Sequence, residues 1–164
     1  MANKYLEGAL APISQEYTLT DLAVTGRIPD YLDGRYLRNG PNPIGEIDPE
    51  LYHWFLGDGM VHGLCIEDGK ALWYRNRWIG SRAASAALGR PAAPGPRRGD
   101  DTVNTNVVEI GGRAFAVVEA GSYPVALSDD LETQRYDPFD GSLTGSFTGH
   151  PHRDPETGET HAIA

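Results

Sequence analysis

An all-β fold is predicted, on three observations. The chain holds 20 Gly and 12 Pro, so turns are frequent and unbroken segments short. The dipeptides Asp68-Gly69 and Gly111-Gly112 each separate two strand-like runs, a pattern that calls for positive φ at both central positions of a hairpin turn. Only the first half of 81–98 has the composition of a helix. Short antiparallel strands joined this way build a sandwich, a barrel or a propeller.

Residues 1–33 read as an arm that wraps, because Pro12, Pro29 and the mixed run Tyr17–Val24 sustain no period. Arg35–Arg38 is a short strand stopped by Asn39-Gly40-Pro41-Asn42-Pro43. Tyr52–Leu56 is strand-like and ends at Gly57-Asp58-Gly59. Met60–Glu67 alternates, with Met60, His62, Leu64 and Ile66 on one face. Its return strand, Lys70–Trp78, puts Leu72, Tyr74, Asn76 and Trp78 on one face. Val103–Ile110 and Arg113–Ala120 repeat the design around Gly111-Gly112. Leu127–Tyr136 reads as a connection, Ser142–Thr148 as a strand, and Glu159–Ala164 as the start of another.

The segment between the hairpins, 81–100, differs. Ser81–Arg98 is rich in Ala and Pro, a composition that suits a mobile surface loop. Residues 81–99 carry four Arg and no acid, whereas 100–164 carry twelve acids against three Arg. A basic stretch in an acidic chain has a second reading, peripheral contact with an anionic membrane, although it lacks the Trp, Phe and Leu that bury in lipid.

Composition excludes several classes. A hydrophobic content of 40% suits a folded chain, and a net charge of −9 argues against nucleic acid as a partner. Cys65 is the only cysteine, so no internal disulfide forms and a reducing compartment is expected. Met1–Tyr17 has no basic-then-apolar leader pattern, and no run reaches the ~18 apolar residues of a membrane span. The expectation is a soluble, cytoplasmic protein.

Chemistry-bearing residues concentrate in Gly149-His150-Pro151-His152-Arg153-Asp154-Pro155. Read alone, His-x-His-x-Asp resembles the zinc-binding turn of the metallo-β-lactamase fold. The match breaks at Pro155, where that family has another His, and Pro151 restricts the backbone between the two rings. The bland alternative is a hairpin loop capped by Asp154 and Thr157. His53 and His62 read as structural histidines inside strands; the face of His161 is undetermined.

A set of motifs in fixed order shifts the balance. These are Tyr36-Leu-Arg-Asn-Gly-Pro-Asn-Pro43, Phe55-Leu-Gly-Asp-Gly-Met-Val-His62, Asn104-Thr-Asn-Val107, Val117-Val-Glu-Ala-Gly121, Leu131-Glu-Thr133 and His150-Pro-His-Arg-Asp-Pro-Glu-Thr-Gly-Glu159. Together, from about Tyr17 onward, they resemble the N-terminal third of the carotenoid cleavage oxygenases. That resemblance implies the N-terminal portion of a seven-bladed β-propeller with a non-haem Fe(II), Fe(2+), on its axis, held by four His. Glu residues orient three of those His, and O2 and an apolar polyene occupy the open side. The first iron His falls on His150, while His152 is not a ligand. Glu119 stands at the family's spacing upstream and implies an orienting carboxylate for a His outside this chain. Val118 occupies the position where stilbene-cleaving members tend to carry Lys, so an apolar residue implies a carotenoid or apocarotenoid.

The resemblance also implies a boundary. Only one of four iron ligands is present, so 1–164 is expected to be part of a longer dioxygenase and inactive alone. The competing readings are a truncated, non-catalytic propeller piece and a stilbene-cleaving dioxygenase.

Overall fold

Two four-stranded antiparallel sheets pack face to face, with a two-stranded hairpin beyond them. The computed structural model describes residues 3–163. Met1 and Ala2 of the expected arm, and Ala164 of the expected last strand, lie outside the described residues. The first sheet has the order β1 (Tyr17–Leu19), β4 (Lys70–Trp78), β3 (Gly59–Glu67), β2 (Gly34–Pro41). The second runs β5 (Asn106–Ile110), β6 (Arg113–Val117), β7 (Val125–Leu127), β8 (Gln134–Tyr136). The hairpin pairs β9 (His152–Arg153) with β10 (Thr160–His161).

Both hairpin turns have the backbone their dipeptides demand. Asp68 and Gly69 sit at φ 48° and 70°, Gly111 and Gly112 at φ 59° and 77°. Positive φ at both central residues matches the right-handed twist of the flanking strands. Gly59 opens β3 for a different reason: a Cβ there would stand 1.9 Å from the Val103 carbonyl oxygen, so only glycine allows the approach.

The principal core lies between the sheets. Val61 and Ile79 from the first meet Val103, Ala116, Val125, Leu131 and Tyr136 from the second, with Leu37 and Trp73 packed at the edge. Alternation along β6 sends Phe115 and Val117 to the opposite face, where Phe147 covers them. Phe139 joins edge to face, 5.3 Å from Phe115 and 5.7 Å from Phe147 between centroids. Such aromatic pairs add about 0.5–1.5 kcal/mol beyond area burial.

The first sheet is covered unevenly on its other face. Backbone of the N-terminal arm bonds both ends of the Asn76 amide, from Tyr17 N (2.6 Å) and to Gln15 O (3.1 Å), and Glu16 accepts the Trp78 N–H at 2.8 Å. Tyr36 and Leu72, and Leu19 of the arm itself, remain exposed.

Four local expectations differ from the structure. The arm contains β1 and two 3-10 turns, Lys4–Leu6 and Gly8–Leu10. Tyr52–Leu56 is not extended: Trp54–Leu56 forms a 3-10 turn capped by the His53 ring, which accepts the Phe55 N–H. Its aromatic run has no alternation to commit it to a sheet. Ser142–Thr148 pairs with no strand; it lays Phe147 on the second sheet and tethers through Ala120 N to Phe147 O, 3.1 Å. The connection Leu127–Tyr136 holds the end of β7 and all of β8, strands too short at three residues to show a period.

The 81–100 segment is fastened down rather than loose. Ser81 caps α1 (Arg82–Ala87) by accepting the Ala84 N–H at 3.1 Å, and Ala84, Ser85 and Ala93 are buried. All four arginines bond internally. Arg82 and Arg97 reach Asp101 at 3.3 and 2.7 Å, Arg90 reaches Glu16 at 2.7 Å, and Arg98 donates to the Thr144 carbonyl at 3.0 Å. No described helix is long and apolar enough to cross a membrane.

Candidate functional site

A cleft of about 750 Å³ opens beside β2 and the residues that lead into β5, and His150, Glu119, Val118, Asn104, Arg38 and His62 line it. Val118 and Glu119 follow directly on β6. The Val118 side chain touches the principal core and also borders the cleft, so it contributes an apolar patch of wall beside the carboxylate.

His150 is delivered by a turn with several anchors. Glu119 Oε2 accepts the Gly149 N–H at 2.7 Å and the Thr148 hydroxyl at 3.0 Å. The Thr148 oxygen accepts the His150 N–H at 3.1 Å, and the Asn106 amide donates to the Gly149 carbonyl at 3.2 Å. Gly149 has to be small, since an added Cβ would lie 2.7 Å from Thr105 Cγ2 and 3.2 Å from Glu119 Oε2. The Gly149 N–H, then the Thr148 hydroxyl, hold the Glu119 carboxyl below its usual range, because both stabilise the charged form. The His150 ring is 75% exposed, with Nδ1 3.6 Å from Glu119 Oε2. That is too long for a hydrogen bond but close enough to orient an N–H toward the carboxylate. Nε2 makes no hydrogen bond among the described residues.

The rest of the histidine-rich stretch goes elsewhere. His152 lies in β9, opposite His161 of β10. Asp154 caps its own turn, accepting the N–H groups of Thr157 (3.0 Å) and Glu156 (2.7 Å), and those bonds hold its carboxyl below the usual range. His161 is exposed, 3.8 Å from Glu159. His150, His152 and Asp154 therefore do not converge, and no group of three potential ligands assembles among the described residues.

His53 packs between Tyr5 and Phe55 rings and caps the 3-10 turn. His62 bonds Tyr74 Oη through Nδ1 at 2.8 Å. Burial, then the nearby Arg38 cation, push its pKa down to about 4, so it is neutral at pH 7. A structural reading suits both rings, but nothing in the sequence reading put His62 on the cleft wall. Thr148 and Asn106 were missed as well. The usable signal was adjacency: a ligand needs its backbone fixed, and Thr148 immediately precedes Gly149-His150.

The donor set can be tested against a metal. One imidazole with an unengaged nitrogen, facing a cleft beside a carboxylate, fits one corner of a histidine-ligated centre. It cannot hold the metal alone.

A sequence model of the retinal pigment epithelial membrane protein family matches residues 10–164. The chain is 58% identical over 166 residues to a carotenoid cleavage oxygenase of Mycobacterium tuberculosis, covering 99% of this chain and 33% of that protein. It is 35% identical to the carotenoid 9,10(9',10')-cleavage dioxygenase 1 of Arabidopsis thaliana, covering 94% and 34%. An isoeugenol monooxygenase of Pseudomonas nitroreducens is also 35% identical, covering 94% and 35%. Among solved structures, the lignostilbene dioxygenase of Pseudomonas brassicacearum superimposes with a TM-score of 0.80 at 27% identity, covering 99% of this chain and 37% of that one. Cobalt-substituted apocarotenoid oxygenase of Synechocystis gives 0.73 at 25% identity, covering 88% and 34%. The chain thus spans about a third of the length of the curated relatives it matches.

Proposed function

The chain belongs to the carotenoid cleavage oxygenase family, that of the retinal pigment epithelial membrane protein, and from this we propose that it is the N-terminal part of a non-haem Fe(II) dioxygenase that cleaves a carbon–carbon double bond of a carotenoid or apocarotenoid. Its two sheets are the N-terminal portion of a propeller; the proposal completes that propeller to seven blades around the cleft. The observation that carries the functional reading is His150: its ring enters the cleft with Nε2 unengaged, next to Glu119 and the apolar Val118.

In this reading His150 supplies one imidazole to the iron through Nε2. When bound, the iron supplies open positions at which O2 meets an electron-rich alkene. Addition of O2 across a C=C bond with scission yields two carbonyls, both oxygen atoms are retained, and no outside reductant is needed. The chain's own residues position and exclude. Glu119 faces the turn with Oε2, while Oε1 comes no nearer than 3.4 Å to the Thr148 hydroxyl. Oε1 is therefore open to an N–H from a further imidazole, which would fix that ring's tautomer and raise its donor strength. Val118 offers an alkene no hydrogen bond and so favours an apolar chain.

A phenolic alkene is the second reading, favoured by the likeness to a lignostilbene dioxygenase and an isoeugenol monooxygenase. Product analysis with a carotenoid, an apocarotenal and a hydroxystilbene separates the two; cleavage of the stilbene alone overturns the role given to Val118. We extend no membrane role to 81–99, since its arginines are occupied internally. The metal assignment is tested in the full-length polypeptide that contains this chain. His150→Ala is expected to purify without stoichiometric iron, and equal iron in variant and wild type rejects His150 as a ligand.

A further inference from the structure

The turn bearing His150 is fastened through one hydroxyl. Thr148 Oγ1 donates its single proton to Glu119 Oε2 at 3.0 Å and accepts the His150 N–H at 3.1 Å. Both roles of the hydroxyl are thereby filled. Thr148 is only 8% exposed, so its hydroxyl is shielded from water even though the Glu119 side chain it bonds is 60% exposed. Its β-branched side chain is stiff about χ1, which fixes the direction of both bonds. The same carboxylate oxygen accepts the Gly149 N–H at 2.7 Å. Three consecutive residues, Thr148, Gly149 and His150, are therefore tied directly or through one hydroxyl to a carboxylate on a different segment of the chain.

We propose that Thr148 is a positioning residue for His150: its hydroxyl transmits the placement of Glu119 to the backbone of the ligand. The inference rests on the reading of His150 as a metal ligand and adds to it a division of labour within Glu119. Oε2 serves the turn through Gly149 and Thr148, and Oε1 is kept clear of it. Without the hydroxyl, Oε2 keeps only the Gly149 bond and the His150 N–H loses its partner. The backbone of His150 itself is then no longer bonded, and the turn hangs on Gly149 through Glu119 and Asn106.

The test uses full-length protein and two readouts, iron affinity by chelator competition and amide exchange of Gly149 and His150 in the metal-free form. Thr148→Val keeps the shape and deletes both bonds. It is expected to weaken iron binding by about 10- to 100-fold, the range for removing a ligand's supporting bond. It also accelerates His150 amide exchange by about tenfold or more. Thr148→Ser, which keeps the hydroxyl, is expected to stay within about threefold of wild type in both. If the Val variant does not fold, Thr148→Ala, which only removes atoms, gives the same readings. Unchanged iron affinity in the Val or Ala variant overturns the proposal, whether or not exchange accelerates. Loss of iron with unchanged exchange overturns it too, because the hydroxyl acts through the turn. His150→Ala, measured alongside, separates the two readings. Iron retained there defeats the ligand assignment itself, whereas iron lost there but kept in Thr148→Val defeats only the positioning role.

Discussion

His150 and His152 stand two residues apart and have little else in common. His150 is on a turn bonded to Glu119, Thr148 and Asn106, against the end of the second sheet. His152 is on a two-stranded hairpin that projects beyond both sheets and is closed by Asp154 through its own neighbours. One half of the stretch takes its geometry from distant residues, the other mainly from local turn chemistry. An exposed ion pair, Arg153 to Glu109 at 3.1 Å, leads from that second half back to the second sheet. Density of ligand-type side chains in a sequence is thus a poor guide to a site. What matters is which of them are held from far away.

The sharpest way to break the comparison is to exchange the fates of the two rings. In the full-length protein His150→Ala is expected to abolish stoichiometric iron, and His152→Ala to retain it in full. A second His of the stretch acting as ligand would show as iron loss in His152→Ala and would join the two halves again.

The glycines give a smaller contrast of the same form. Gly149→Ala drives a methyl against Thr105 Cγ2 and Glu119 Oε2, so the His150 turn has to shift, and iron affinity is expected to fall by about tenfold or more. Gly158, at φ +75°, meets nothing nearer than an Arg153 side-chain nitrogen at 3.9 Å. Alanine there strains the backbone by about 1 kcal/mol, read as a lower Tm with iron affinity unchanged. Equal effects of the two substitutions on iron would show that the halves move as one body.

Most of the fold was legible because it rests on local rules. The Asp68-Gly69 and Gly111-Gly112 turns, and the alternation of β3, β4 and β6, are written in neighbouring residues. What escaped depends on tertiary contact. β7 and β8 are too short to show a period and exist because β6 offers them an edge. Ser142–Thr148 has strand-like composition but only drapes Phe147 over Phe115 and Val117. The basic 81–99 segment resembled a free surface loop because Glu16 is 74 residues from Arg90. A charge pattern does not reveal an ion pair even where, as for Arg97 and Asp101, the partners are four residues apart. At the site, His150 and Glu119 emerged from motif order. Thr148 did not, because a hydroxyl's role is visible only once both of its bonding partners have positions.

The smallest predicted effect is at Asp154, and it separates the two carboxylates. Both Glu119 and Asp154 are held below their ordinary values by N–H donors, so each stabilises the folded state above its unfolded value and loses that contribution as pH falls through its folded one. The windows therefore open below about pH 4.5 for Glu119 and 3.8 for Asp154, the ordinary values of the two groups. Their consequences differ by place. Protonating Glu119 weakens the acceptor for Gly149 and Thr148. Protection of the Gly149 N–H, its exchange rate taken relative to the intrinsic rate at each pH, is expected to fall as the pH drops through that window. Asp154 supports only the tip of the β9–β10 hairpin. Asp154→Asn keeps an accepting oxygen but loses the charge, so it is expected to lie slightly below wild type in Tm at neutral pH and Asp154→Ala lower still, both with unchanged iron content. Gly149 exchange in either variant should follow the wild-type pH curve. Were Asp154→Ala to speed Gly149 exchange at neutral pH, the hairpin would have to brace the His150 turn, and the separation between the two halves would fail at its weakest joint, Pro151.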